Sequence, residues 1–240
     1  MKQKTALLIL FYLYLTATLS AQIYNDYPRL RVSASGGLGF LSASGNDGLD
    51  NIVDKSVIDK ATKDLRRATN LNGDVHYLFN GGWGLGVKYL FQKTSTNNPD
   101  VVMDVNDGLH YVVTDIWEKD YVNFVGPSFF GITSLGRNNN LYFTSSLSAG
   151  YMWLRSEASV LFKNVLATSN NIGFNAELGL DYLFTPTLGL GINLGYLTSY
   201  FDKVKMTDGT TTQEQNLTKE NRYNASNFHL SVGLRYYLNK

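Results

Sequence analysis

Two runs of alternating residues, joined by a three-residue turn, constrain this chain more than any other feature. From 172 to 182 the even-numbered residues are apolar, and those between them are Gly, Asn, Glu or Asp. From 188 to 196 apolar residues alternate with Gly or Asn. A period of two is that of a β-strand, whose successive side chains point to opposite faces. A soluble sheet would need a second layer to bury so long an apolar face, whereas a membrane barrel turns that face toward lipid.

The same alternation recurs along the chain and indicates eight strands. They span residues 30–40, 71–79, 83–92, 121–132, 141–153, 172–184, 188–196 and 228–238. An even number of antiparallel strands is typical of bacterial outer-membrane barrels. The sequence therefore predicts an all-β fold, an eight-stranded antiparallel up-and-down transmembrane β-barrel. In the fourth strand, Pro127 predicts a bulge or a missing ladder hydrogen bond.

The connections between these strands alternate in length. The long ones are 42–70, 93–117, 156–170 and 202–222, and the short ones are 80–82, 134–140 and 185–187. Outer-membrane barrels have short periplasmic turns and longer outside loops. We therefore expect long extracellular loops, short periplasmic turns and both termini in the periplasm.

One long connection also carries a helical pattern. Val53, Val57, Ala61 and Leu65 recur every four residues among Asp and Lys. This spacing predicts a short amphipathic helix within 51–67. Such a helix packs on the barrel rim or contacts a membrane surface or a partner, and the sequence leaves both roles open.

The first residues have the pattern of a secretory signal peptide. Lys2 and Lys4 precede the apolar run 6–15, and a region of small residues follows. The run is too short to span a bilayer comfortably, which disfavours a retained anchor helix. The sequence thus predicts a cleaved signal peptide at 1–21, one barrel domain at 22–240, and a place in the bacterial outer membrane.

Composition excludes several classes of function. The chain has no cysteine, which removes disulfides, lipoprotein anchoring, thiolate catalysis and thiolate metal sites. Without the signal peptide, 19 basic residues face 20 acidic ones, so there is no basic field for nucleic acid. No His or acidic spacing matches a metal-ligand set. We therefore expect no metal, no cofactor and no nucleic-acid partner.

Inward positions of the predicted strands collect eight ionisable residues in one narrow barrel. They are Arg31, Asp74, His76, Lys88, Glu177, Asp181, His229 and Arg235. The interior of an eight-stranded barrel is just wide enough for side chains to fill it. Since buried charges survive only when paired, we expect a paired, water-poor network. The alternative is a polar path for protons or a small solute, through gaps left by inward glycines.

An enzyme acting on lipids would need a nucleophile, a base and an orienting group near the outer rim. The chain has three histidines. His76 and His229 are predicted to point inward near mid-strand, and His110 lies at the edge of a connection without a diagnostic motif. The sequence therefore favours a protein that is not an enzyme.

Three strand motifs carry a family resemblance: GWGLGVKY at 82–89, FVGP at 124–127 and SVGLRYYL at 231–238. With them the mature chain resembles the small outer-membrane β-barrel proteins common in Bacteroidota, in the size class of OmpX and OmpW. The motifs are strand patterns, so they bear on architecture and not on activity.

The resemblance also implies an assembly signal at the end of the chain. Gly233, Tyr236 and Leu238 have the spacing of the β-signal that the barrel-assembly machinery reads. Leu238 stands where that signal usually has an aromatic residue, and two further residues follow it. The assembly machinery is therefore an expected partner during biogenesis.

Three functional hypotheses remain. The leading one is a non-enzymatic, monomeric outer-membrane barrel with a structural or surface-interaction role, whose extracellular loops contact outer-membrane lipid, lipopolysaccharide or surface partners. The second is a narrow transporter for small solutes, hydrophobic ones included, as inferred for OmpW-like barrels. The third, which the residues favour least, is a lipid-modifying enzyme.

Overall fold

A computed structural model describes residues 27–41, 54–104, 111–135, 140–160, 163–218 and 222–238. These residues form twelve strands and one helix. In chain order they are β1 (Leu30–Leu41), α1 (Lys55–Leu65), β2 (Arg67–Phe79), β3 (Trp83–Asp104), β4 (Tyr111–Ser134), β5 (Leu141–Val160), β6 (Lys163–Leu183), β7 (Leu188–Thr198), β8 (Tyr200–Phe201), β9 (Lys203–Thr207), β10 (Thr212–Asn216), β11 (Tyr223–Asn224) and β12 (Asn227–Leu238). The predicted signal peptide and His110 lie outside the described residues.

Eight strands of the described chain close into an antiparallel ring. Their order around the ring is β1, β2, β3, β4, β5, β6, β7 and β12, and β12 pairs with β1 to complete it. Along this seam Leu30 pairs with Leu238 and Leu41 with Asn227. Closure leaves no strand edge unpaired in lipid, where an unsatisfied backbone group costs several kcal/mol. The predicted eight-stranded up-and-down barrel is confirmed.

Alternation sorts the side chains of the ring onto two faces. On β7, Ile192 is 53% exposed on the outer wall and its neighbour Asn193 is 3% exposed inside. Outward apolar side chains form a continuous band from the level of Leu188 to that of Phe40 and Trp153, hereafter the apolar band. The turns after Phe79 and Leu183 lie at one end of the barrel, the turn end. The opposite end is called the extension end.

At the extension end, two strand pairs continue past the apolar band. β3 and β4 remain paired as far as Asp104 and Tyr111, and β5 and β6 as far as Val160 and Lys163. Much of 93–117 and 156–170, which the sequence predicts as connections, is therefore paired strand. Backbone hydrogen bonding holds these extensions together, and because polar residues are frequent on both of their faces, the regular apolar alternation of the ring does not continue into them.

The structure decides between the two outcomes predicted at Pro127 of β4, a bulge or a missing ladder hydrogen bond. Val125 pairs with Tyr151 and Ser128 with Ser148, so the register is the same on both sides of Pro127. The ladder is interrupted between these pairs without a bulge. At the interruption β4 and β5 approach closely, since a Cβ added at Gly150 would lie 2.1 Å from the carbonyl oxygen of Val125.

The predicted helix is confirmed as α1. Asp54 caps it by accepting a hydrogen bond from the backbone N–H of Ser56 at 2.7 Å. Lys60 donates to the Asn98 side chain at 2.7 Å, which fixes α1 beside the extended part of β3. Among the described residues, no helix has the length and apolar character needed to cross a membrane.

The segment after β7 supplies four short strands at the extension end. β8 pairs with β11, and Phe201 of β8 is completely buried. β9 and β10 form a hairpin, and β9 continues the barrel wall by pairing with β6 at residues 166–168. This segment therefore reaches both the mouth of the barrel and its outer wall.

Candidate functional site

All eight predicted interior residues lie inside the ring, and each is at most 7% exposed. They come from five strands of the ring: β1, β2, β3, β6 and β12. The charged layer consists of Arg31, Asp74, His76, Lys88, Glu177, Asp181, His229 and Arg235. Three carboxylates face three permanent cations, so the layer is neutral when both histidines are neutral.

Asp181 is the acceptor shared by the two guanidinium groups of the layer. Its Oδ1 accepts from Nε of Arg235 at 3.0 Å, and its Oδ2 accepts from Nε and Nη2 of Arg31, both at 3.2 Å. The Tyr237 hydroxyl donates to the same Oδ2 at 2.6 Å. The positions on β1, β6 and β12 are far apart in sequence, so only ring closure brings them together.

Asp74 holds the other side of Arg31. It accepts from Nη1 of Arg31 and, at 2.5 Å, from the hydroxyl of Ser33. Nδ1 of His76 lies 3.0 Å from its Oδ1. The Arg31 guanidinium also lies over the Phe130 ring, 4.6 Å from the centroid. Arg31 therefore has partners on all sides, as a buried cation requires.

Glu177 forms the third centre of the layer. The ammonium of Lys88 is 2.7 Å from Oε2, so the two groups form a buried ion pair. Nε2 of His229 lies 2.9 Å from Oε1. Asn193 donates to Oε2 at 3.4 Å and accepts from Nη2 of Arg235 at 3.0 Å. Asn193 thus links the Glu177 centre to the Asp181 centre.

Ser128, His76 and Asp74 have the hydrogen-bond order of a serine-hydrolase triad. Nε2 of His76 lies 2.9 Å from Oγ of Ser128, and its Nδ1 lies 3.0 Å from Asp74. A hydrolase also needs room for a substrate carbonyl and donors for its oxyanion. All three residues are at most 6% exposed, and the adjoining cavity of about 10 Å³ has space for one water molecule. The arrangement is therefore a buried hydrogen-bond chain that fixes the His76 ring.

Apolar clusters lie above and below the charged layer. Toward the turn end, the cluster consists of Leu78, Phe130, Ile132, Tyr142 and Tyr237. Toward the extension end, it consists of Leu90, Val122, Phe124, Met152, Leu154, Leu197, Phe201 and Ala225. The barrel interior is thus filled in three layers, apolar, charged and apolar.

An acidic pair lies at the extension end, just beyond the apolar band. Burial raises the pKa of the Glu118 carboxyl to about 7, and the nearby Asp120 adds to this shift. Burial likewise raises the pKa of Asp120 and of the Tyr223 hydroxyl. Since Tyr223 packs against the apolar cluster, these groups join the strands of the wall to β11 in the mouth.

Sequence reasoning did not assign several partners in the charged layer. The alternation of their strands places Tyr237 and Asn193 on the inward face but does not identify them as members of the network, and Ser128 directly follows Pro127, where the sequence predicts an irregular strand. All three have the parity that points inward. A hydroxyl or amide at an inward position near a charge is the signal that could have identified them.

The residues of the predicted assembly signal lie on the last strand. Tyr236 and Leu238 face outward and are 41% and 45% exposed. Gly233 faces inward at the seam, where an added Cβ would lie 2.0 Å from the carbonyl oxygen of Ala34. Their recognition by the assembly machinery stays a prediction.

Comparison with known proteins agrees with this architecture. The family described as outer membrane protein beta-barrel domain matches residues 11–236, and no curated protein matched the sequence. Among solved structures, OprG from Pseudomonas aeruginosa has a TM-score of 0.51 at 14% identity, covering 90% of this chain and 99% of that one. The outer membrane protease OmpT from Escherichia coli has a TM-score of 0.48 at 9% identity, covering 91% and 100%.

At such identities, similarity to solved structures concerns the fold alone. The more specific resemblance to barrels of Bacteroidota stays a prediction. The family match, in contrast, spans most of the sequence. The chain therefore belongs to the outer membrane protein beta-barrel domain family, whose place is the bacterial outer membrane.

Proposed function

We propose that this protein is a non-enzymatic outer-membrane barrel that is closed to solutes and acts through the parts outside the apolar band. The observation that carries this proposal is the filled interior. A charged layer lies between two apolar clusters, and the cavity beside Arg31 and Asp74 is only about 10 Å³. A solute passing through would have to displace all three layers.

The charged layer has a structural role in this proposal. Each carboxylate is paired with at least one cation, and Asp181 joins two. Removing one member of a buried pair leaves an uncompensated charge, which costs about 3 to 5 kcal/mol. The layer therefore favours a single register of the ring and keeps water out of it.

The extension end is the part available for interactions. It combines the paired extensions of β3 to β6 with α1 and the β9–β10 hairpin. By analogy with barrels that have short periplasmic turns, we place this end outside the cell. Outer-membrane lipid, lipopolysaccharide and surface proteins are the partners it would meet there. We further propose that residues 1–21 are removed, that the barrel-assembly machinery inserts the remaining chain, and that the protein is a monomer.

Conductance in planar bilayers tests the closed interior. We expect no discrete current steps from the purified mature protein in 1 M KCl at about 100 mV. A general porin in the same bilayers serves as the positive comparison, because its water-filled channel conducts ions. Reproducible steps from the unmodified protein would contradict the proposal and favour the narrow transporter.

A further inference from the structure

We propose that a groove on the outer wall binds the anionic head group of a phosphorylated lipid in the leaflet at the extension end. The inference rests on the proposed function, which assigns interactions to this end of the barrel. The groove has a volume of about 1020 Å³ and lies where β4, β5 and β6 meet the β9–β10 hairpin. It is separate from the charged layer inside the barrel.

A row of register partners places cations along this part of the wall. Lys93 pairs with Tyr121, Tyr121 with Arg155, Arg155 with Thr168, and Thr168 with Lys205. Neighbouring strands are about 4.8 Å apart, so successive cations of the row are roughly 10 Å apart. The row runs along the border of the apolar band. This is the depth at which lipid head groups lie.

Aromatic side chains form the wall of the groove on the band side of that row. Tyr151 and Trp153 stack with their ring centroids 5.7 Å apart, and both line the groove together with Tyr121. Tyr and Trp favour the boundary between lipid and water because their rings are apolar with a polar edge. A ligand seated here would keep its apolar part against the band and its polar part at the cations.

The charges of the groove are only partly neutralised by the chain itself. Arg155 is paired with Glu157 at 2.7 Å, and Lys203 lies 3.9 Å from Glu214. Asp202, which also lines the groove, is paired with Arg222 at 2.7 Å. Within the described ranges, the ammonium of Lys205 has no ion-pair partner within 4.0 Å, although Glu214 lies opposite it in the β9–β10 register. These contacts are exposed and therefore weak, so the basic groups can turn to an anion.

Position and charge together identify the occupant. The groove opens beside the apolar band, and a lipid can enter it sideways without leaving the membrane. Basic residues at a membrane surface each contribute about 1 kcal/mol of attraction to anionic lipid. A lipid with a phosphate head group therefore satisfies the cations and the aromatic wall at once.

Quenching of Trp153 by brominated lipid tests the site. The chain has three tryptophans, so Trp83→Phe with Trp117→Phe leaves Trp153 as the reporter in the full mature protein. We compare dibrominated phosphatidylglycerol with dibrominated phosphatidylcholine, each diluted into unlabelled phosphatidylcholine vesicles. We expect the anionic lipid to quench with about fivefold higher apparent affinity.

Two charge variants make this test specific. Lys203→Gln with Lys205→Gln should abolish the preference, while Lys55→Gln with Lys63→Gln removes the same charge from α1 and should leave it intact. The lipid site would be overturned if both lipids quenched Trp153 equally, or if both double variants lost the preference for the anionic lipid to the same extent. Neither result bears on the closed interior, because bilayer conductance tests that proposal independently.

Discussion

Asp181 and Arg235 form an ion pair of 3.0 Å in which both side chains are fully buried. The same carboxylate also forms an ion pair with Arg31. Asp181→Asn removes the negative charge that both guanidinium groups share. We therefore expect the free energy of unfolding to fall by about 3 to 5 kcal/mol. Urea unfolding in phospholipid vesicles measures it. The exposed Asp59→Asn is the control, and an equally small effect at both positions would mean that the interior is hydrated.

The seam between the first and last strands depends on a close backbone approach. A Cβ at Gly37 would lie 1.9 Å from the carbonyl oxygen of Leu230, whereas at Gly36 the nearest atom is a Leu71 methyl carbon at 3.3 Å. Gly37→Ala should thus force β1 and β12 apart at a cost of about 1 to 3 kcal/mol, and Gly36→Ala should cost less. The urea midpoints of the two variants check this order; its reversal would argue against the seam register.

Depth in the membrane should decide the effect of an outward lysine. Ile192 is 53% exposed within the apolar band, and Thr69 points outward at the level of Lys93. A lysine near the bilayer midplane costs about 2 to 4 kcal/mol, and one near the interface about 0 to 1. We therefore expect Ile192→Lys to lower vesicle-based unfolding stability far more than Thr69→Lys. Equal effects would show that β7 does not cross the bilayer at this level.

The triad-like arrangement at Ser128 should be chemically silent. Ser128 is only 2% exposed, and the cavity of about 10 Å³ that borders Asp74 holds one water molecule but not a phosphonate or an acyl group. We expect a fluorophosphonate probe to leave Ser128 unlabelled in the folded protein, with a known serine hydrolase as the labelling control. Mass-spectrometric detection of the adduct at Ser128, abolished by His76→Gln, would contradict this and favour the enzyme hypothesis.

The acidic pair at the extension end should make stability fall as pH rises. Burial raises the pKa of Glu118 from 4.5 to about 7, so between these values the folded state keeps a proton that the unfolded state has lost. Stability is then greatest below pH 4.5 and decreases toward pH 7, by up to about 3 kcal/mol. Glu118→Gln should remove this dependence, whereas the exposed Glu214→Gln should retain it.

Urea midpoints at pH 5 and pH 8 in vesicles provide the comparison. The decisive quantity is the difference between Glu118→Gln and the unmodified protein, since other groups titrate in both. We expect Glu118→Gln to raise the urea midpoint, relative to the unmodified protein, more at pH 8 than at pH 5. A constant difference across the range would mean that Glu118 does not change its protonation there.

The faces of the strands were predictable because they follow from local geometry. Ile192 and Asn193 are sorted by the pleat alone, and lipid requires every second residue of a spanning strand to be apolar. The four-residue spacing of apolar residues up to Leu65 is also a local pattern, and it correctly predicts α1. The extensions of β3 to β6 were not predictable in this way, since outside the membrane a paired strand needs no apolar face.

The inward parity of Arg31, Asp181 and Arg235 was readable from the sequence, but their meeting was not. Arg31 and Asp181 are 150 residues apart, and ring closure and strand register set the depth at which each side chain lies. The same closure brings Phe201 into the mouth and Lys205 beside Arg155 on the outer wall. The sequence by itself therefore determined which face each side chain takes, because a strand's period is local. Only the tertiary structure decided which side chains meet, because register between distant strands is a property of the closed barrel.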